Sequence, residues 1–220
     1  MLKRRIGSVF VVIGAVLLAA ALLLFLYNQN EDERAGEAAG AALEAMQQVI
    51  EEGNGIPPML DLTEEETEPE ETTEAAAEAT EPTELTAVNI DGYNYIGYLS
   101  IPAFELELPI MDDWSEERLR IAPCLQYGSP LTDDAVIAGH NYKHHFLPLH
   151  SIEIGEQVTF TDMTGYTIEY SVVEWKIIDP RNVSEVVDSE YDLILYTCTS
   201  GGQERVIVCC DRADKADTLE

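Results

Sequence analysis

The sequence predicts a mainly β domain, a closed barrel or a sandwich, set behind an N-terminal apolar helix and an acidic spacer. Three observations predict it. Between Tyr93 and Arg212, short Val/Ile/Tyr/Thr-rich runs of strand length alternate with turn residues. Ahead of them, Ile6 to Tyr27 carries no charge at all. Between the two, residues 31–86 hold 18 acids against Arg34 alone, a net −17, and a segment so charged buries too little apolar surface to offset the entropy of ordering.

The 220 residues suit one ordinary domain plus flanking segments. A net charge of −30, from 42 acidic and 12 basic residues, excludes a nucleic-acid partner, because phosphate binding needs a basic surface. Residues 1–30 carry +3 and residues 87–220 carry −16. More than half of the excess therefore lies outside the part patterned to fold.

In chain order, residues 1–5 form a basic tip with Lys3, Arg4 and Arg5. Residues 6–27, IGSVFVVIGAVLLAAALLLFLY, match a hydrocarbon core of about 30 Å at about 1.5 Å per residue. The basic flank assigns the tip to the cytoplasm and the rest of the chain to the outside of the plasma membrane. A cleaved signal peptide has a shorter apolar run, of about 7–15 residues, and Asn28-Gln29-Asn30 offers no small-x-small cleavage site. The span reads as an uncleaved, single-pass signal anchor. Residues 28–87 read as an acidic Ala/Glu/Thr/Pro-rich stalk. Its first part, 31–52, combines helix formers with a thin apolar stripe of Leu43, Met46, Val49 and Ile50. Gly53 to Pro58 stops that helix, and Leu60 to Thr86 is expected to be disordered and stretched by its own charge.

From Tyr93 onward, YIGYLSI, LELPIM, DAVIAGH, QVTFTD, YTIEYSVVEWKII, YDLILYTC and RVIVCCD have the length and composition of strands. Asp162-Met163-Thr164-Gly165 joins two of them as a hairpin turn. Two pieces read as short helices: Ser115–Leu119, with Ser at the N-cap and Glu116 and Glu117 in the first turn, and Phe146–Ile152. Many short strands with few helices imply a barrel or sandwich of roughly 130 residues. The folded domain is expected over 88–213, with 214–220 as a C-terminal tail.

Two strands end on reactive side chains. Asp192–Arg212, DLILYTCTSGGQERVIVCCDR, reads as strand, Gly201-Gly202 turn, strand, with Cys198 at one lip and Arg205 facing it. A thiol at an open strand end is within reach of a large substrate. Only the thiolate is a good nucleophile, and a neighbouring guanidinium or imidazolium favours it. Arg205 is equally suited to hold the oxygen that turns negative when a thiolate attacks a carbonyl. A lone Cys is as often inert packing, and it needs a His from elsewhere before it counts as a nucleophile. Ala135 to Asn141, AVIAGHN, supplies one: His140 stands at the end of an apolar strand, with Gly139 leaving room beside it and Asn141 able to hydrogen-bond nearby.

The same residue types have other uses. Cys124, Cys198, Cys209 and Cys210 are too few for a disulfide scaffold. As strand neighbours, Cys209 and Cys210 point to opposite faces, whereas a Cys198–Cys209 bridge would consume the nucleophile. His140, His144, His145 and His150 are zinc-ligand types, but the His140-x3-His144 spacing follows a strand and does not read as one helical face, so no metal is assigned. The acidic surface offers calcium ligands without defining a calcium site.

A His after Ala-Gly at one strand end, Leu-x-Thr-Cys at the end of a later strand, and an Arg on the next strand together resemble the sortases of Gram-positive bacteria. The resemblance spans about residues 88–212, and the N-terminal anchor adds to it. On this resemblance His140, Cys198 and Arg205 occupy the catalytic positions. Leu195 and Thr197 match a Thr-Leu-x-Thr-Cys pattern, with Ile194 where the first Thr is usual. The family implies an eight-stranded sortase-type β-barrel with short helices, no cofactor, and transpeptidation. In that reaction an LPxTG-like sorting signal on a surface protein is cleaved through a Cys198 thioester and passed to an amine of the cell wall or of another protein. The Thr199 backbone N–H joins Arg205 as an oxyanion donor, and Asn141, Leu195 and Thr197 are supporting residues. The want of a C-terminal hydrophobic run is unlike the pilus-polymerising class and closer to the single-anchor classes, class D ahead of class B. Two rival functions fit the same barrel: an exported cysteine hydrolase sharing the acyl-enzyme, and a non-catalytic surface binding module, which would be free to lose any of the three positions.

Overall fold

The computed structural model describes residues 2–51, 82–182, 184–187 and 189–213. The stalk expected through residue 87 lies outside the described residues from 52 to 81, as does the tail 214–220. The elements are α1 (Leu2–Glu51), β1 (Val88–Ile90), β2 (Tyr93–Ile101), β3 (Leu106–Met111), β4 (Cys124–Tyr127), β5 (Ala135–Ala138), β6 (Gln157–Asp162), β7 (Thr167–Ile178), α2 (Ser184–Val187), β8 (Leu193–Cys198) and β9 (Arg205–Arg212).

Eight strands in the order β2-β3-β4-β5-β8-β9-β7-β6 close into a barrel, because β6 pairs back onto β2. The β3–β4 and β5–β8 pairs are parallel and the other barrel pairs antiparallel. β1 hangs on the outer edge of β2 through the Asp91-Gly92 turn, whose two residues both have positive φ, 51° and 87°. That pair is a hairpin signal that the strand pattern alone passes over.

The barrel interior is filled by Leu99, Ile110, Ile137, Phe160, Tyr170, Leu195 and Val208, among others. Two apolar patches cover its outside. Tyr95, Met111, Cys124 and Met163 pack under α1, while Val136, Ile194, Ile207 and Cys209 pack under Ile178 and Val186, around the connection from β7 to β8. β5, β8 and β9 are thus buried on both faces, which is why they read as near-continuous apolar runs. Cys210 lies in the interior and Cys209 in the outer patch, as strand alternation requires.

The two short helices expected from sequence are single 3₁₀ turns, Arg118–Arg120 and Leu147–Ser151. Ser115 caps the first, its Oγ accepting the Arg118 N–H at 3.1 Å. The second has a proline in its first turn. The hairpin turn after β6 is organised by Asp162, whose Oδ1 accepts from the Thr164 N–H at 2.8 Å, the Thr164 hydroxyl at 2.7 Å and the Tyr166 N–H at 2.9 Å.

α1 is one unbroken helix. Its Val12–Tyr27 stretch exposes apolar side chains throughout, and the helix is long and apolar enough to cross a membrane. Its later half lies against the barrel. Ala35, Ala39, Ala42 and Met46 recur on one helical face and are buried, Met46 to 0% exposure.

Closure of the barrel depends on Gly97, which pairs with Ile110 on β3 and with Asp162 on β6. Its φ is 154°, and a Cβ there would stand 2.2 Å from the Thr161 carbonyl oxygen and 2.9 Å from the Asp162 Cα. Backbone cannot yield as a side chain can. Gly97→Ala is expected to destabilise the barrel by at least about 1–3 kcal/mol, the range of overpacked sites, read as a lower midpoint in urea denaturation.

Candidate active site

The parallel pairing of β5 with β8 sets the site. Ala138 is opposite Tyr196, and the Gly139 N–H donates to the Tyr196 carbonyl at 3.0 Å, carrying the register one residue past the strand. His140 follows directly, beyond the end of β5. On the other side of β8, the antiparallel register pairs Cys198 with Arg205. Residues paired across strands emerge on the same face, so Cys198 and Arg205 share the outer face of the barrel, at the same end of the sheet as His140. Leu195 and Thr197, one position out of phase, turn inward and are buried; they pack the wall behind the thiol.

A hollow of about 330 Å³ runs along this face. Tyr196, Ile207 and Arg205 form its floor, Trp114, Glu116 and Tyr127 one bank, and Ile178, Pro180 and Val186 the other. The Tyr196 hydroxyl donates to Gln126 Oε1, which fixes the floor to β4.

Cys198 is half-buried with a free thiol, and the other three cysteines are free and buried. The Cys198–Cys209 bridge considered above does not form: Cys209 is opposite Ile194, four residues along β9 from Arg205. Burial pushes the Cys124 and Cys209 thiols up to about 12 and Cys210 higher still, so all three stay protonated. Burial also pushes the His140 pKa down; the Glu116 carboxylate opposes this and Arg120 adds to it. His140 Nε2 is buried with no hydrogen-bond partner among the described residues, and the Tyr142 ring stacks on the imidazole at 4.7 Å and 28°. The room Gly139 leaves is filled by Phe146, whose Cδ2 would lie 2.4 Å from a Cβ at that position.

The supporting residues divide. The Thr199 N–H donates to the Glu204 carbonyl at 3.0 Å, closing the β8–β9 turn. It is therefore occupied, and the oxyanion role expected of it has no donor there. Arg205 Nη1 donates to the Gly202 and Glu204 carbonyls, each at 3.1 Å, so the guanidinium rests on the turn beside the thiol. Asn141 faces the α1 side of the rim, in a different hollow from the groove.

His150 was not singled out as a site residue. Its Nε2–H donates to the Cys198 carbonyl at 3.2 Å, tying the end of β8 to the Leu147–Ser151 turn. A polar ring inside the apolar run LPLHSI is its only trace in the sequence. Among the described residues no group of three or more His, Cys, Asp or Glu is arranged to hold a metal ion; His144 and His150 point to different partners, Asp32 and the Cys198 carbonyl.

The closed eight-stranded barrel defines the fold, and comparison with known proteins names the family. The family profile described as Sortase domain matches residues 99–213, more than half of the chain. The chain belongs to the sortase family. Among solved structures, it is similar to sortase C1 of pilus island 1 of Group B Streptococcus, with 25% identity, a TM-score of 0.49, and coverage of 54% of this chain and 64% of that one. It is also similar to a lid mutant of sortase A from Corynebacterium diphtheriae, with 25% identity, a TM-score of 0.49, and coverage of 54% and 69%. Sortase C from Clostridium perfringens SM101 follows, with 21% identity, a TM-score of 0.47, and coverage of 53% and 68%. The match thus spans just under two thirds of the first of these structures. No curated protein matches the chain.

His145, next to this rim, is 0% exposed. Burial first, and then the neighbouring His140, push its pKa down from 6.5 to about 4, with the Ile121 backbone pulling the other way. Above pH 6.5 neither the folded nor the unfolded chain protonates it. Between 6.5 and about 4 only the unfolded chain takes the proton, so stability falls as pH drops through this window and levels off below it. The loss is expected to be on the order of 3 kcal/mol. Urea denaturation between pH 4 and 7 should show this slope in the wild type and a shallower one in His145→Phe.

Proposed function

We propose that the chain is a membrane-anchored cysteine transpeptidase that cleaves an LPxTG-like sorting signal and transfers the cleaved surface protein to an amine, of a cell-wall precursor or of another protein. The reading is supported by the parallel β5–β8 pairing, whose strands lead to His140 and Cys198 at the same end, and by Arg205, which is paired with Cys198 and lines the groove. The aromatic and aliphatic banks of the groove, Trp114, Tyr127, Ile178 and Val186, suit the Leu-Pro portion of such a signal. α1 supplies the anchor, and its Lys3, Arg4 and Arg5 assign the N-terminus to the cytoplasm and the barrel to the cell surface.

In the first half-reaction the Cys198 thiolate adds to the Thr carbonyl carbon of the signal. The C–N bond to the next residue breaks, and His140 gives its proton to the departing amine, leaving a thioester. In the second, the acceptor amine adds to the thioester, gives a proton to His140, and the thiolate leaves. Arg205 faces the carbonyl oxygen that carries negative charge in both steps. To act as the acid, the buried imidazole must hold a proton that its surroundings disfavour. Glu116, which lines the groove and raises the His140 pKa, is the group that offsets this.

Incubation with a sorting-signal peptide followed by intact-mass spectrometry tests the reading. The wild type and Cys124→Ala are expected to gain the acyl mass and Cys198→Ala is not; an acylated Cys198→Ala protein would overturn it. Arg205→Ala is expected to lose about 2.7–4 kcal/mol of transition-state stabilisation in kcat/KM, the cost of a removed oxyanion donor.

A further inference from the structure

We propose that the later half of α1 is part of the active-site framework: through Asp32 and Gly36 it holds the loop His140–Leu147, and Tyr142 in that loop is a positioning residue that fixes the His140 ring. The proposal rests on the transpeptidase reading only in taking His140 as the group that moves the proton.

The contacts run in sequence from helix to imidazole. Asp32 Oδ1 lies 3.3 Å from both the His144 N–H nitrogen and His144 Nδ1. One turn further along α1, Gly36 lies against the same side chain. A Cβ there would stand 2.7 Å from His144 Cγ and 3.0 Å from its Cβ, so the helix approaches this closely only because residue 36 has no side chain. Ala35 and Ala39, beside it, are buried. The loop is also tied to itself. The Tyr142 carbonyl accepts from the His145 N–H at 3.1 Å and the Leu147 N–H at 3.0 Å, and the His140 carbonyl accepts from the Phe146 N–H at 3.1 Å. Moving His144 therefore moves Tyr142.

Tyr142 is placed to pass that movement on. Its ring stacks on His140 at 4.7 Å and lies 5.4 Å from the buried, tilted ring of His145. On its other side, Asn28, Gln29 and Asp32 of α1 share a hollow of about 430 Å³ with it. Burial chiefly, and then the Glu31 carboxylate of α1, raise the Tyr142 pKa. His140 Nε2 has no hydrogen bond among the described residues. The orientation of the imidazole is thus left to ring packing, and Tyr142 is the stacked neighbour.

From sequence, this segment, residues 31–52, reads as the partly helical start of the stalk, with a thin apolar stripe. Docked, it sets the rim at a definite height: Asp32 lies five residues past Tyr27, about 8 Å along the helix axis. The spacing between anchor and active site is then a property of the fold and not of a tether.

The full chain in lipid nanodiscs, labelled at histidine, tests the proposal by NMR of the His140 ring, identified by its loss in His140→Gln. A stacked Tyr ring displaces that signal by its ring current. Tyr142→Leu and Gly36→Leu are expected to move it to the same unstacked position, Asp32→Ala to move it part of the way, and Tyr142→Phe, which keeps the ring, to restore it. In peptide cleavage, Tyr142→Leu and Gly36→Leu should lower kcat between about tenfold and a hundredfold, as misplacement of a reacting group does, with KM little changed, and Tyr142→Phe should recover most of the loss. An unmoved His140 signal in both Gly36→Leu and Asp32→Ala would overturn the role of the helix. A fall in kcat for Tyr142→Leu with the His140 signal in place would overturn that of Tyr142. Asp32→Ala leaves the barrel interior untouched and decides the question if the bulkier changes fail to fold. A wild type that forms no acyl-enzyme would sink the transpeptidase reading, while the coupling from Gly36 to the His140 signal would still stand or fall on its own.

Discussion

β5 and β8 lie side by side and run in the same direction, and the rest of the structure follows from that pairing. Parallel neighbours cannot be joined by a tight turn; they need a crossover of a dozen residues or more. Here the crossover contains the β6–β7 hairpin. One edge of the hairpin pairs with β2 and closes the sheet, and the other receives β9. Closure removes the exposed strand edges that invite aggregation, apart from the three-residue β1. The same pairing brings two strand C-termini to one rim. That is how His140 and Cys198, 58 positions apart, come to the same end of two neighbouring strands.

Most of the strands were legible because their composition is local. β7 and the β8–β9 hairpin announce themselves through β-branched and aromatic runs with a turn between. β4 did not, because CLQY is only four residues long and ends in polar Gln126 and Tyr127; its place is dictated by the gap between β3 and β5 and not by its own pattern. The parallel register of β5 and β8 was not legible at all from strand composition. Both strands are buried on two faces, so neither shows the alternation that would assign its sides. The docking of α1 escaped for a different reason. The buried positions Ala35, Ala39 and Ala42 are small, and in an Ala/Glu-rich segment they look like helix propensity, although their spacing is that of a packed face.

At the rim, sequence reached the residues that end strands and missed those that hold them. Cys198 and His140 stand out because a reactive side chain after an apolar run is conspicuous, and Arg205 because it opens the next one. The Thr199 N–H is used by the β8–β9 turn: it donates to the Glu204 carbonyl, and the Thr199 hydroxyl and Glu204 N–H add to the same closure. His150, tied to the Cys198 carbonyl, and Tyr142, stacked on His140, depend on contacts made by folding, which no spacing in the chain records.

Unsatisfied polar atoms collect at this same rim. His140 Nε2, Asn141 Oδ1 and Thr197 Oγ1 are buried without hydrogen-bond partners among the described residues. A buried group left in this state costs about 1–3 kcal/mol, and native structures keep few of them. In the transpeptidase reading the cost has a chemical return. An imidazole not tied to a protein acceptor can pass its proton to a substrate amine. A neighbouring His145 that stays neutral down to about pH 4 puts no second positive charge beside it. Hydrogen bonds that would orient these rings would also compete for the proton. Orientation has to come from shape instead, from Phe146 over Gly139, Tyr142 on His140, and α1 against His144. The interface between α1 and the rim is therefore where a change far from the thiol would be felt at the imidazole.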